Sequence, residues 1–254
     1  MCRILILLNQ LPLQYINKFL LQSVTNKNTP GLENNRDFNF HLDGYGFIFY
    51  YNNKISIYKS SLLYKNDLNF NFIKEKFDKS NIIIGHIRAT KTEFIDNICY
   101  NNTHPFWFEN NYWCHNGSIS PFEEKYFLQF INQKYKKSIK GNTDSEILFY
   151  IFLSIKDKVD NIEKTWNNFF ELLSQFKSAI SANIVYCNDN YIYISRFINN
   201  DEIPPSLYFD NKLMIISSEP ISDNYTLLQK NIYLKYNIQE KILKIVDFNY
   251  NTNL

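Results

Sequence analysis

The chain has 254 residues, 45% of them hydrophobic, which is long enough for one large domain with its own core. Its 27 basic and 25 acidic residues are mixed along the chain and leave a net charge of +2, so nothing indicates a nucleic-acid-binding protein. No stretch has the composition of a linker, and we therefore predict a single domain over residues 1–254.

The first half of the chain predicts mainly strands. Residues 2–8 form a short apolar run typical of a buried strand, and apolar residues at helical spacing follow over 13–24. Two β-rich runs on either side of Asn52-Asn53 predict a hairpin. This half also predicts a polar loop over 25–42, a short helix within 66–80, and a buried strand over 81–88.

The second half adds helices and then returns to strands. A hairpin around Asn110-Asn111 leads into His115-Asn116-Gly117, which we expect at a turn that ends a strand. Thr143 with Glu146 three residues later fits a capping box, which predicts that a helix begins there. Helices are also predicted over 121–135 and 162–176, and strands over 180–187, 191–198, 213–218, 231–236 and 241–248.

This order of elements indicates the fold class. Strands, then helices, then strands do not give the βαβ alternation of a doubly wound parallel sheet. Two mainly antiparallel sheets with helices packed outside them account for the order. We therefore predict an α+β protein.

The cysteines and the N-terminal apolar run indicate the cellular setting. The four cysteines show neither a CxxC pair nor metal-ligand spacing, so we expect reduced thiols and no metal or other cofactor. The apolar run that follows Cys2 is too short for a membrane span, and no signal-peptide cleavage site follows it. We expect a soluble, cytoplasmic protein without a membrane partner.

Several polar residues have structural interpretations when each is taken alone. Arg88, at the end of a predicted buried strand, is typical of a structural ion pair. Asp144 suits the first turn of a helix, His104 a partly buried imidazole, and Cys2 a small buried hydrophobe. His115-Asn116-Gly117 is typical of a hairpin turn, although an Asn amide beside a Gly N–H also suits an oxyanion.

The order of these residues along the chain favours a shared functional site over a separate structural role for each residue. The motifs are Cys at position 2, Asp43-Gly44-Tyr45-Gly46-Phe47, Gly85-His86-Ile87-Arg88, Asn102-Thr103-His104-Pro105-Phe106, His115-Asn116-Gly117, Gly141-Asn142-Thr143-Asp144-Ser145-Glu146 and Ser217-Ser218-Glu219-Pro220. In this order the chain resembles the class II glutamine amidotransferases of the N-terminal-nucleophile hydrolase superfamily. It is most similar to their compact, stand-alone branch, which includes the γ-glutamyl hydrolase of ergothioneine synthesis and an amidotransferase-like subunit of the fungal glutathione-degradation complex.

The resemblance implies a four-layer αββα sandwich and a reaction. Cys2, after removal of Met1, would be the nucleophile that forms a γ-glutamyl thioester. Asn116 and Gly117 would form the oxyanion hole. The substrate would be glutamine or another γ-glutamyl compound.

The resemblance also assigns substrate-binding residues. Arg88 would bind the α-carboxylate and Asp144 the α-ammonium group, while His104 and His115 would line or support the pocket. The family usually has a hydroxyl residue three positions after the Arg, where this chain has Lys91. Thr90 or Thr92 would take that role, or carboxylate binding is altered.

Two alternatives remain within the same fold. The chain would be a weakly active γ-glutamyl-binding or regulatory subunit, which the change at Lys91 favours. Alternatively, it would supply ammonia to a partner subunit, because no acceptor domain is recognisable in this sequence.

Overall fold

The protein is described by a computed structural model over residues 2–24, 43–52, 54–90 and 97–248. The predictions that concern Met1, the loop over 25–42, Lys91 and Thr92 lie outside the described residues. The chain divides into two compact units. The first comprises Met1–Asn116 and Ser206–Leu228, and the second comprises Gly117–Pro205 and Gln229–Leu254. The prediction of a single domain remains a prediction.

The strands occupy both ends of the sequence, as predicted. They are β1 (Arg3–Leu7), β2 (Tyr45–Tyr51), β3 (Lys54–Ser60), β4 (Ile83–Ile87), β5 (Phe106–Phe108), β6 (Asn111–Ser120), β7 (Ala179–Cys187), β8 (Tyr191–Ile198), β9 (Tyr208–Asp210), β10 (Ile215–Ser217), β11 (Thr226–Leu227), β12 (Ile232–Asn237) and β13 (Ile242–Asp247). The helices are α1 (Gln14–Leu21), α2 (Phe70–Phe77), α3 (Glu124–Phe127), α4 (Gln133–Lys136), α5 (Asp144–Lys156) and α6 (Ile162–Ser174). Short 3-10 helices lie at Tyr64–Asn66, Tyr100–Asn102 and Leu128–Phe130.

The strands form two sheets. One has seven strands in the order β11-β9-β10-β1-β4-β2-β3, and the other has six in the order β13-β12-β8-β7-β6-β5. In the first sheet β1 pairs antiparallel with β10 on one side and with β4 on the other. This register places Leu5 opposite Ser217 and opposite Gly85. The start of β1 is therefore held between two strands.

The core of the first unit explains why β1 is apolar from Ile4 to Leu7. Leu5 and Leu7 belong to a buried cluster that also contains Phe19 of α1, Phe47 of β2 and Phe77 of α2. Since side chains alternate along a strand, the other apolar residues of β1 point to the opposite face, and they are buried too. A strand that is buried on both faces has a continuous run of apolar residues in its sequence. This is the pattern from which β1 was predicted.

The second unit contains the long helices. Trp166 of α6 stacks near Phe152 of α5 and near Tyr186 of β7, with ring centroids 4.7 Å and 6.3 Å apart. The start of α5 confirms the predicted cap, because the Thr143 side chain accepts the Glu146 N–H at 3.2 Å. The Glu146 carboxylate accepts the N–H groups of residues 140 and 141 at 3.0 and 2.7 Å.

Two local predictions are wrong. His115-Asn116-Gly117 does not end a strand at a turn, because β6 continues to Ser120 and the hairpin turn lies earlier, where Glu109 has a φ of 49°. The predicted helix over 121–135 is divided into α3, a 3-10 turn and α4. Its interruption at Asn132 has a tertiary cause, since the Asn132 N–H donates to the Ser154 hydroxyl at 2.8 Å while its own backbone is extended.

Within the described part of the chain, no helix combines the length and the apolar character that crossing a bilayer requires.

Candidate functional site

Cys2 lies immediately before β1, and its sulfur contacts the backbone that follows β4. The Ala89 N–H donates to Cys2 Sγ at 3.4 Å, and Sγ lies 3.7 Å from the Ala89 carbonyl oxygen. A backbone N–H directed at sulfur stabilises a thiolate relative to a thiol. The side chain is partly buried, so the thiol is both accessible and held in place.

Arg88 precedes this contact by one residue and has an unusual environment. Its backbone N–H donates to the Gly44 carbonyl at 2.8 Å, which fixes the end of β4. Its guanidinium is buried, and among the described residues Nη1 has no hydrogen-bond partner. Because a buried charged donor without a partner is costly, such a nitrogen is typical of a site that receives an anion. The structure thus places a buried arginine with an unpaired Nη1, among the described residues, next to the residue that contacts the thiol.

The motif at residues 43–46 shapes this part of the first unit. Gly44 has a φ of +115°, a conformation that other residues rarely adopt. A Cβ on Gly46 would lie 2.2 Å from the His104 carbonyl oxygen. Only glycine therefore allows the backbone of β2 to lie this close to the backbone of His104. Asp43 then accepts the Thr90 N–H with Oδ2. The motif therefore holds the segment that follows Arg88.

Thr90 lies where the sequence predicts help for carboxylate binding. Its Oγ1 is buried and has no hydrogen-bond partner among the described residues. Thr90 follows Arg88 by two residues, and each has an unpaired side-chain donor among the described residues, a pair of donors that suits a carboxylate. The alternative positions, Lys91 and Thr92, lie outside the described residues.

Three buried histidines form a cluster in the first unit. The rings of His86 and His104 lie 3.9 Å apart, and His86 Nε2 lies 3.0 Å from the His115 carbonyl oxygen. Burial, followed by the nearby His86, His115, Lys59 and Arg88, lowers the pKa of His104 well below its usual value. His104 is therefore neutral at neutral pH and packs against the ring of His86 as an uncharged imidazole. His86 has no predicted role, although the sequence motif contains it.

Asn116 is the candidate oxyanion donor of the first unit. It is buried in β6, and its Nδ2 donates to the Ser218 hydroxyl at 3.4 Å. The same hydroxyl accepts the Ile4 N–H at 2.8 Å, and the Ser218 N–H donates back to the Ile4 carbonyl at 2.9 Å. Asn116 is thereby connected to the strand that begins after Cys2.

The late Ser-Glu-Pro motif has a second contact with the start of the chain. Arg3 Nε lies 2.6 Å from Glu219 Oε1, and both side chains are buried. Arg3 Nη1 donates to the Cys2 carbonyl at 3.2 Å. The sequence resemblance includes this motif but implies no role for Ser218 or Glu219. Its position far along the chain contains no signal of where it packs.

The remaining predicted residues, Gly117 and Asp144, belong to the second unit. Gly117 lies within β6, and its φ is not in the left-handed region that a turn would have required. Asp144 is the first residue of α5, and its Oδ2 accepts the Ile119 N–H at 2.9 Å. The start of α5 and the strand segment after Gly117 are therefore joined. Asp144 Oδ1 also accepts the Ser145 hydroxyl at 3.3 Å.

The described residues contain no group of His, Cys, Asp or Glu side chains arranged to hold a metal ion.

Comparison with known proteins identifies the family of the chain. The family of class-II glutamine amidotransferases matches residues 23–204, which is more than half of the chain. Probable glutamine amidotransferase DUG3 of Saccharomyces cerevisiae is 31% identical over 146 residues, which are 56% of this chain. The chain spans only 38% of that yeast protein.

Solved structures show the same fold at low sequence identity. A glutamine aminotransferase class-II domain protein from Silicibacter pomeroyi has a TM-score of 0.66 at 19% identity, covering 98% of this chain and 100% of that one. The glutamine phosphoribosylpyrophosphate amidotransferase of B. subtilis has a TM-score of 0.61 at 16% identity, covering 99% of this chain and 50% of that one. The predicted α+β fold with two antiparallel sheets, of the N-terminal-nucleophile hydrolase type, is confirmed. Since the family match covers most of the sequence, the chain belongs to the class-II glutamine amidotransferases.

Proposed function

We propose that this chain hydrolyses the γ-amide of glutamine or of another γ-glutamyl compound, with Cys2 as an N-terminal nucleophile. One observation carries the proposal. The Cys2 sulfur contacts Ala89, and the adjacent Arg88 is a buried cation whose Nη1 has no partner among the described residues. A nucleophile beside an anion-binding group suits a substrate with a carboxylate at a fixed distance from the bond that is cleaved.

The chemistry requires removal of Met1, which frees the α-amine of Cys2. That amine has a pKa of roughly 7.7–8.0 in peptides, so it can take the thiol proton near neutral pH. The sulfur then forms a bond to the γ-carbonyl carbon, and the oxyanion accepts hydrogen bonds from Asn116 Nδ2 and the Gly117 N–H. The C–N bond breaks as the α-amine returns the proton to the leaving nitrogen. Water hydrolyses the resulting thioester and releases glutamate.

Recognition is assigned to groups that do not touch the reacting bond. Arg88 binds the α-carboxylate through its guanidinium, with Thr90 Oγ1 as a second donor. Asp144 binds the α-ammonium group, as in the motif that the family shares. His104 and His115 support the pocket. The α-carboxylate and α-ammonium groups are common to glutamine and to all other γ-glutamyl amides. The natural substrate is therefore distinguished by its leaving group.

The first test concerns Met1 and Cys2. Intact-mass analysis of the native protein should show that Met1 is absent, because a retained methionine would convert the α-amine into an amide. Cys2→Ala should abolish glutamate release from γ-glutamyl donors, whereas Cys99→Ala, at an exposed cysteine, should retain it. Turnover by Cys2→Ala at the rate of the unchanged protein would exclude Cys2 as the nucleophile.

The second test separates hydrolysis from the alternatives. Glutamate release is measured over a series of γ-glutamyl amides, beside calorimetric titration with glutamine. Release identifies the preferred leaving group. Binding without release would overturn the hydrolase proposal and favour a regulatory subunit.

A further inference from the structure

We propose that Ser218 and Glu219 are positioning residues which hold the nucleophile and the oxyanion donor in register with each other. The inference rests on the proposed function, since it concerns the reaction of Cys2. Neither residue needs to touch the substrate. Ser218 acts through its contacts with Ile4 and Asn116, and Glu219 acts through its contact with Arg3.

The Ser218 hydroxyl joins two elements that are distant in sequence. It accepts the Ile4 N–H at 2.8 Å and the Asn116 Nδ2 at 3.4 Å, contacts that span 214 and 102 residues of sequence. A serine oxygen has two acceptor lone pairs, and these two bonds use both. The hydroxyl thus ties the strand that carries Cys2 to the amide of Asn116.

The Glu219 carboxylate acts on the other side of Cys2 through Arg3. A guanidinium offers separate donors in a rigid fork. Arg3 uses Nε for Glu219, at 2.6 Å, and Nη1 for the Cys2 carbonyl, at 3.2 Å. Glu219 therefore orients the fork that holds the backbone of the nucleophile.

The rate of the reaction depends on the position of Asn116 relative to Cys2. An oxyanion donor acts only when it lies at hydrogen-bond distance from the position where the charge develops. If either contact is lost, Cys2 and Asn116 move independently, and the transition state is stabilised less while Arg88 still binds the ground state. The expected signature is a lower kcat with an unchanged KM.

Two substitutions test this, each measured with glutamine or the γ-glutamyl amide that the enzyme prefers. Ser218→Ala removes the shared hydroxyl, and Arg3→Lys keeps a cation for Glu219 but lacks the fork that also reaches the Cys2 carbonyl. We expect each to lower kcat by about tenfold or more, less than the loss of a direct oxyanion donor, with KM within about twofold.

Ser154→Ala is the matched control for Ser218→Ala. Ser154 is also a buried serine, and its hydroxyl likewise accepts a backbone N–H at 2.8 Å, from Asn132. It should destabilise the protein to a similar extent in thermal unfolding while kcat stays unchanged. If Ser218→Ala does not fold, the kcat and KM of Arg3→Lys test the positioning role.

The outcomes separate this inference from the proposed function. An unchanged kcat in both variants, a change confined to KM, or an equal loss of kcat in Ser154→Ala would overturn the positioning role while hydrolysis itself stands. Absence of hydrolysis in the unchanged protein, with Met1 removed and all γ-glutamyl donors tried, would overturn both.

Discussion

Arg88 and Arg196 are both buried, with 6% and 5% of their surfaces exposed, yet they differ in what their side chains bind. Arg196, in β8, donates Nε to the Pro205 carbonyl at 3.0 Å and Nη2 to the Pro204 carbonyl at 3.2 Å. Arg88, after β4, has an Nη1 without a partner among the described residues. Since buried polar groups are nearly always paired, Arg196 is accounted for as an arginine that holds a loop, and the unpaired donor of Arg88 is what the proposed carboxylate site requires.

The largest expected effect is that of Arg88→Met on activity. Methionine fills a similar volume without charge, so kcat/KM should fall by about a hundredfold or more, equivalent to about 3 kcal/mol, mainly through KM. Thermal unfolding should be unchanged or should move to higher temperature, because the variant removes a buried charge whose Nη1 has no partner among the described residues. Unchanged kinetics in this variant would contradict the comparison.

Arg196→Met should show the opposite behaviour. Two proline carbonyls lose a charged donor, so the free energy of unfolding should fall by about 2–3 kcal/mol, as measured by urea denaturation. The kcat/KM of the folded fraction should remain within about threefold of the original value. A loss of activity without a loss of stability would show that both arginines serve the reaction.

His104 is a third buried group to consider, because both of its ring nitrogens lack partners among the described residues. It should make the stability of the protein depend on pH. Its folded pKa is well below the unfolded value of about 6.5, so between the two values the unfolded chain binds more protons. Stability should therefore fall as pH falls below about 6.5, by up to about 1.4 kcal/mol per pH unit from this group. In His104→Gln, urea denaturation at pH 7 and pH 5 should show a smaller difference in stability. An equal difference in both proteins would exclude His104 as the cause.

The smallest effects are expected at two threonines, the buried Thr165 and the half-buried Thr90, whose Oγ1 is buried. Thr165 Oγ1 donates to the Asn161 carbonyl at 3.0 Å, whereas Thr90 Oγ1 has no partner in the described part of the chain. Thr165→Val should cost about 1 kcal/mol of stability and leave kinetics unchanged. Thr90→Val should leave stability unchanged and raise KM by about tenfold. A stability loss in Thr90→Val equal to that in Thr165→Val would assign Thr90 a structural role.

Local patterns in the sequence predicted the elements that local physics specifies. The run before Leu8 and the hairpin at Asn52 follow from apolar continuity and from a residue that tolerates positive φ, which Asn52 has at 51°. The start of α5 follows from the hydroxyl of Thr143. Each of these depends on residues that are neighbours in sequence.

The misplaced turn at His115-Asn116-Gly117 shows the limit of such patterns. An Asn-Gly pair favours a turn when the backbone has no other partners, but here it lies within β6 and the strand continues to Ser120. The helix predicted over 121–135 is broken at Asn132 by a hydrogen bond to Ser154, 22 residues away. Tertiary contacts overrode local preference in both places.

The sequence alone determined the order of strands and helices, the family resemblance and the residue types of the site, because these depend on patterns of near neighbours. Only the tertiary structure decided that, within the described part of the chain, Arg88 has an unpaired donor whereas Arg196 binds two carbonyls, since the same residue type permits either. It also decided that Glu219 meets Arg3 across 216 residues of sequence. Burial and pairing are properties of the folded chain, and spacing along the sequence does not specify which distant partner a buried charge will find.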